Sequence, residues 1–327
     1  MTDKPKILVT GASGQLGRWL IRELIKSGYQ IRAHYRSRKK AAKYCPDGVE
    51  PVFGDIIEPS WLAGAVKGCD IVIHCAARVS VRPLSRADTA GMYKVNVDGT
   101  RAVVNACRKT GVKRLVHVSS VAAVGGSADG SILDETATFN LAGLGMPYFE
   151  TKREAEEIAL AANSQKLEVV VVNPSIMISL PDRKRTEKDF KKIPKRLPAY
   201  FDFGINVVET ADVVDGVIKA MEKGRPGERY ILGGDNIGPE KLFALGEKYF
   251  SLKQPYFKIP MWLMYVAGLI AELLYIFRNK KPKLNRNIIR LLRLKLFYSS
   301  EKARRELGYE PKALSKTLEE ILIALKQ

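Results

Sequence analysis

Lys6-Ile7-Leu8-Val9-Thr10-Gly11-Ala12-Ser13-Gly14-Gln15-Leu16-Gly17 decides the fold. Lys6 to Val9 is a short β-branched, apolar run and reads as a buried strand. After the glycines, Leu16, Leu20, Leu24 and Ile25 recur at helical spacing, and the pattern stops at Ser27-Gly28. A strand, a glycine turn and a helix opening at that turn form a phosphate site. The helix N-terminus offers free N–H groups and the positive end of a dipole, and glycine lets the backbone approach the anion. The spacing Gly-x-x-Gly-x-x-Gly is one residue longer than the usual dinucleotide fingerprint.

Outward from that turn, strand and helix alternate. Gln30 to Tyr35, Val49 to Phe53, Asp70 to Ala77, Arg114 to Val118 and Glu168 to Val172 read as strands. Pro59 to Lys67, Ala87 to Thr110 and Tyr148 to Ala162 read as helices between them. The alternation predicts an α/β fold, a Rossmann doubly wound parallel sheet, whose ligands bind beyond the carboxyl ends of the strands. Past Asn173-Pro174-Ser175 the alternation breaks. Ile205 to Val208 and Arg229 to Leu232 read as strands. Thr210 is expected to cap a helix over 211–221, and helices are expected over 239–249 and 314–325. The expected division is a nucleotide-binding domain over 1–172, with returning segments near 205–235. The remainder, 173–327, is a smaller, mostly helical substrate-binding part.

Two positions carry further chemistry. The second strand ends in Arg36-Ser37-Arg38, with no carboxylate where a ribose 2′-hydroxyl would be read. Arginine there accommodates a 2′-phosphate, so NADP is expected over NAD, with Arg36 as the contact and Arg38 as its alternative. Tyr148 and Lys152 stand four residues apart at a helix start and share a face. A lysine ammonium beside a tyrosine favours the phenolate and brings its pKa down from about 10. Tyr148 could then exchange a proton with a carbonyl or alcohol oxygen, with Ser120, at the end of the preceding strand, bonded to the same oxygen.

These residues together resemble the extended short-chain dehydrogenases/reductases, the NAD-dependent epimerase/dehydratase family. The resemblance rests on the glycine turn, Gly54-Asp55, His74-Cys75-Ala76-Ala77, Asn96-Val97-x-Gly99-Thr100, Ser119-Ser120, Tyr148-x-x-x-Lys152 and Asn173-Pro174-Ser175. It looks closest to dihydroflavonol reductase-like and 3β-hydroxysteroid dehydrogenase-like members. It implies a cofactor site of Gly11, Ser13, Gly14, Gln15, Leu16, Gly17, Asp55 at the adenine with Ile56 beside it, Ala76, Ala77, Lys152, Pro174 and Ser175. It implies catalysis by Ser120, Tyr148 and Lys152. Val124-Gly125-Gly126 departs from the Val-Tyr-Gly usual in sugar-nucleotide epimerases. The function expected is NADP(H)-dependent interconversion of a ketone and a secondary alcohol on a lipophilic substrate. A sugar-nucleotide epimerase or dehydratase is the alternative, and a non-catalytic NADP-sensing or scaffold protein a third reading.

The four cysteines show no paired or metal-type spacing, and the three histidines lie in strands, so packed side chains rather than a metal site are expected. With no leader evident before the first strand, a cytoplasmic protein is expected. A homodimer is compatible with the sequence, which does not fix the oligomeric state. The formal charge is +19, of which residues 183–196 hold +6 and 278–305 hold +10. No nucleic-acid motif accompanies it, so an anionic ligand or an anionic membrane surface is the sharper reading against a solvated basic face. Between the two basic stretches lies Pro260 to Phe277, apolar except for Glu272. A packed lid helix is its first reading and peripheral membrane contact through 260–297, at the inner face, its second. Spanning comes last, because a span needs about 20 apolar residues.

Overall fold

The structure, a computed structural model, describes residues 4–80, 85–179, 196–278 and 286–326. The first half alternates strictly: β1 Lys6–Thr10, α1 Gln15–Lys26, β2 Gln30–Tyr35, α2 Arg38–Tyr44, β3 Glu50–Phe53, α3 Pro59–Val66 and β4 Ile71–His74. Then come α4 Arg86–Tyr93, a π-helical segment Lys94–Asp98, α5 Gly99–Thr110, β5 Arg114–Val118, α6 Pro147–Leu160 and β6 Glu168–Pro174. After β6 follow β7 Ile176–Ile178, β8 Ala199–Tyr200, β9 Ile205–Glu209, α7 Thr210–Lys223, β10 Arg229–Leu232, β11 Asp235–Ile237, α8 Pro239–Phe250 and β12 Phe257–Lys258. Four more helices follow among the described residues: α9 Met261–Arg278, α10 Arg286–Leu292, α11 Glu301–Leu307 and α12 Leu314–Lys326.

Seven strands form one parallel sheet in the order β10-β6-β5-β4-β1-β2-β3. The central strands β1, β4, β5 and β6 are mostly apolar and buried because both of their faces are covered, whereas the edge strand β3 begins exposed. Ile7 and Val9 enter the core under α1 and α7, whereas Leu8 enters the one under α3 and α5. The order reverses between β1 and β4, and the crevice at that switch point is where such sheets take ligands.

Several expectations need correction. The strand expected over 70–77 pairs only through His74, because the chain leaves the ladder where Ala76 meets the backbone of Gly11. The helix expected over 87–110 is two helices around the π segment, whose extra residue turns Asn96 inward, 2% exposed. Ile205–Glu209 joins β11 and β7 in a separate three-stranded sheet, outside the main one. Thr210 is not a cap: Glu209 holds that position, and the Thr210 hydroxyl donates to the Ile178 carbonyl at 2.9 Å.

The three histidines are buried, and the four cysteines are free thiols, Cys69 and Cys107 buried and Cys45 and Cys75 half-buried. The basic run over 183–195 lies outside the described residues. The helix expected over Pro260–Phe277 starts as an exposed element. Of residues 261–270 only Gly268 is buried, and Trp262 is 67% exposed. No helix among the described residues is long and apolar enough to cross a membrane.

Candidate active site

The glycine turn is shaped by close approach. Gly11 sits at φ +70°, and a Cβ there would fall 2.8 Å from the backbone nitrogen of Ala76. A Cβ on Gly17 would lie 2.5 Å from the Gly11 carbonyl oxygen. Both positions exclude any larger residue, which brings β1, α1 and the end of β4 into contact across the switch point. Gly14 caps α1 without a side-chain bond, and the first turn carries no acid, so its N–H groups stay available. Gln15 ties the turn to the second half of the chain, donating to Ser179 and Thr210 hydroxyls at 3.1 Å each.

A buried polar chain fixes the loop after β4. Thr100 donates to the Asn96 carbonyl at 2.6 Å and so accepts from His74 Nε2 at 3.1 Å. That leaves His74 Nδ1 to accept from the Thr10 hydroxyl at 2.8 Å, which in turn accepts from the Ala76 N–H at 3.3 Å. Burial, then the charge of Lys152, pushes His74 down to about 3, so the ring is neutral, as this tautomer requires. Asn96 joins the same loop to α6, donating to the Arg78 carbonyl and the Thr151 hydroxyl at 3.0 Å each.

Ser120, Tyr148 and Lys152 meet at the carboxyl end of β5. The Ser120 hydroxyl accepts from the Ala122 N–H at 3.2 Å and bonds the Tyr148 phenol. Lys152 is 3% exposed and donates from Nζ to the Val118 carbonyl at 2.9 Å. Burial lowers its pKa to about 8 against the opposing pull of Glu156. For Tyr148, burial raises the pKa and the Ser120 bond lowers it. Lys152 does not lower it here: one of its three N–H groups is directed at the Val118 carbonyl, and desolvation of the phenol dominates.

Beneath this group lies a buried set in which Asn173 of the quoted motif meets two residues the motif reading missed, Glu156 and Arg229. Asn173 Nδ2 donates to the Ser120 carbonyl at 3.0 Å and to Glu156 at 2.5 Å. Glu156, fully buried, pairs with Arg229 at 2.9 Å. Glu156 was legible in principle, one further step of four along the helix from Lys152. Arg229, 73 residues further on, was not.

One cavity of about 810 Å³ gathers Gly11, Gly14, Gln15, Leu16, Gly17, Ala77, Ser120, Tyr148, Lys152, Pro174 and Ser175. Its far wall is apolar and comes from the C-terminal half: Phe201, Phe203, Ile205, Leu291, Leu294 and Leu296. The hydroxyls of Ser119 and Ser175 are buried on its lining without a partner. Ser13 lies in the turn, and Ala76 against Gly11.

Arg36, Asp55 and Ile56 do not line this cavity but continue the same sheet edge past β2 and β3. Arg36 is exposed, and the Arg38 guanidinium lies over the Phe53 ring at 5.0 Å. Asp55 is held by its backbone, its carbonyl accepting from Trp61 Nε1 at 2.5 Å. The Ile56 side chain packs against Gly99.

Comparison with known proteins agrees with this geometry. A ketoreductase of Stigmatella aurantiaca, acting on 4-hydroxy-2-methyl-3-oxo-4-farnesyl-3,4-dihydroquinoline-1-oxide, is 32% identical over 93% of this chain and 91% of its own. The crystal structure of gox2253 superposes with a TM-score of 0.80 at 31% identity, covering 100% of this chain and 98% of that one. A UDP-glucuronic acid 4-epimerase from Bacillus cereus shares the fold, with a TM-score of 0.72 at 19% identity over 98% of this chain and 99% of its own. The model of the NAD dependent epimerase/dehydratase family matches residues 7–233. With the glycine turn at the switch point and the serine, tyrosine and lysine in one cavity, the chain belongs to that family and is an enzyme of the extended short-chain dehydrogenase/reductase type.

Proposed function

We propose that this enzyme interconverts a ketone and a secondary alcohol on a lipophilic substrate, with NADP(H) as cofactor. The observation that carries this reading is the apolar wall of Phe201, Phe203 and four aliphatic residues in the cavity that holds Tyr148. A sugar nucleotide needs polar partners for hydroxyls and phosphates, and a buried polar group without them is costly. A ketone with an aliphatic or fused-ring body needs only one polar contact, at its oxygen. The ketoreductase relative works on a farnesylated ring, which agrees in kind.

The residues fit a dinucleotide. The cradle at Gly11 and Gly17 would be filled by a single Cβ, and α1 offers its open N-terminus for the pyrophosphate. The hydroxyls of Ser119 and Ser175, buried on the cavity lining without a partner, are available to a bound cofactor. Once bound, the nicotinamide supplies or accepts the hydride. Tyr148 gives its proton to the carbonyl oxygen in reduction and takes it back in oxidation. Ser120, already bonded to Tyr148, holds the same oxygen. Lys152 stabilises the phenolate that is left, and Asn173 fixes the backbone that carries Ser120. Arg36 meets the 2′-phosphate, with Arg38 beside it and no carboxylate at that point.

A panel of ketones followed by NADPH absorbance tests the reaction, with net oxidation of NADPH expected. Turnover of a sugar nucleotide without net NADPH change, and no ketone reduced, would overturn it. For the cofactor, Arg36→Asp removes a charged contact of roughly 1.5–3 kcal/mol, so NADPH affinity should fall about 10- to 100-fold. Equal affinities for NADPH and NADH in the unmodified protein would defeat the assignment.

A further inference from the structure

Outside the cavity, the described residues include an exposed apolar surface that the proposed reaction does not explain. Trp262, Leu263, Val266 and Ile270 of α9 are exposed, and so are Tyr256 and Phe257 just before it. Scattered apolar side chains on a surface need no explanation, but a run of this size on one element does. Cations frame it. Arg290 and Arg293 are exposed at the end of α10, the helix that packs on α9. Lys253 is exposed before β12 and Lys258 within it, the latter 3.7 Å from Asp202, and the Arg196 guanidinium lies over the Tyr256 ring at 4.4 Å.

We infer that α9 and the β12 edge form a docking surface for an anionic lipid bilayer, lying in its plane. The chemistry suits an interface. Trp and Tyr favour the headgroup level, the aliphatic side chains the acyl boundary, and Lys and Arg the anionic headgroups. A second copy of the chain fits less well. It would set one basic frame against another in a protein of formal charge +19.

The surface and the cavity also share elements. Leu291 of α10 lines the cavity, and β12 pairs with β8, which runs straight into Phe201. On the function proposed above, a lipophilic substrate would enter from the bilayer between these elements. That last step rests on the proposed function; the docking itself does not.

Co-sedimentation with vesicles of phosphatidylglycerol and phosphatidylcholine, against phosphatidylcholine alone, tests the docking. The protein is expected to pellet with the anionic vesicles at low salt and to be released at high salt. Replacing Trp262, Leu263 and Ile270 by Ser should lower vesicle binding about tenfold or more, while circular dichroism and cofactor binding stay unchanged. Arg290→Glu with Arg293→Glu should weaken binding and flatten its salt dependence. Protein left in the supernatant with both vesicle types at low salt would overturn the inference. So would a concentration-dependent dimer that the triple Ser variant disperses, with no vesicle binding. Because pelleting involves no turnover, failure of the ketone panel would leave this result standing.

Discussion

In the proposed function Tyr148 and Lys152 carry separable tasks, and substitution should separate them. Tyr148→Phe deletes only the proton donor, so turnover should fall about 10²–10⁴-fold with cofactor affinity kept. Lys152→Ala should lose both turnover and cofactor binding. Near wild-type turnover in Tyr148→Phe would refute the assignment. Lys152 also predicts opposite pH trends for activity and stability. With its pKa lowered to about 8, it loses its charge above that pH, so kcat/KM for the cofactor should fall as pH rises through about 8. Stability should move the other way. Between about 8 and the ordinary lysine value, the unfolded chain holds a proton that the folded chain has lost, so Lys152 contributes a rise in stability with pH. A flat kcat/KM up to about pH 10 would contradict this, and Lys152→Met should abolish the stability contribution. At this scale the sequence was most legible where chemistry is local. The tyrosine–lysine pair announces itself by four-residue spacing, whereas Arg229 reaches Glu156 only through the fold.

Among the elements, the β1–α1 turn is the one that tolerates least change. Gly11→Ala meets two penalties, a positive φ and a clash with the Ala76 backbone, whereas Gly111→Ala at φ +77° meets open space. Each should lose about 1–3 kcal/mol from the backbone alone, but only Gly11→Ala should also lose NADPH binding. Thermal melts and a fluorescence titration of both variants decide this. Equal NADPH affinity in the two would refute the close-approach account. Strands and helices flanking this turn were readable because apolar periodicity reports the buried faces. The π segment was not. Its extra residue depends on Asn96 reaching both Arg78 and Thr151, contacts that no local pattern encodes.

Taken whole, the molecule joins a sheet built from neighbouring segments to a cavity wall built from distant ones. Strict alternation made the sheet readable, whereas the wall depends on pairings that periodicity cannot choose. Because the cavity draws on both halves, cofactor binding should stabilise the entire chain. NADPH at about 100 times its Kd adds roughly 2.7 kcal/mol, so the melting temperature should rise more with NADPH than with equal NADH. Equal rises would count against the 2′-phosphate contact.

The last part of that wall, residues 294–299, threads between distant loops. Lys295 exchanges backbone bonds with Ser127 at 2.7 and 2.9 Å, Leu296 donates to Gly204 at 3.0 Å, and the Tyr298 hydroxyl reaches the Gly125 carbonyl at 2.6 Å. A chain leaving the ribosome N-terminus first therefore exposes its glycine turn and Tyr148 long before the cavity wall is complete. Contacts so far apart in sequence form late. Substrate recognition thus waits until residues 294–299 have been made, well after Tyr148, and a chain that stops short of them lacks this part of the cavity wall.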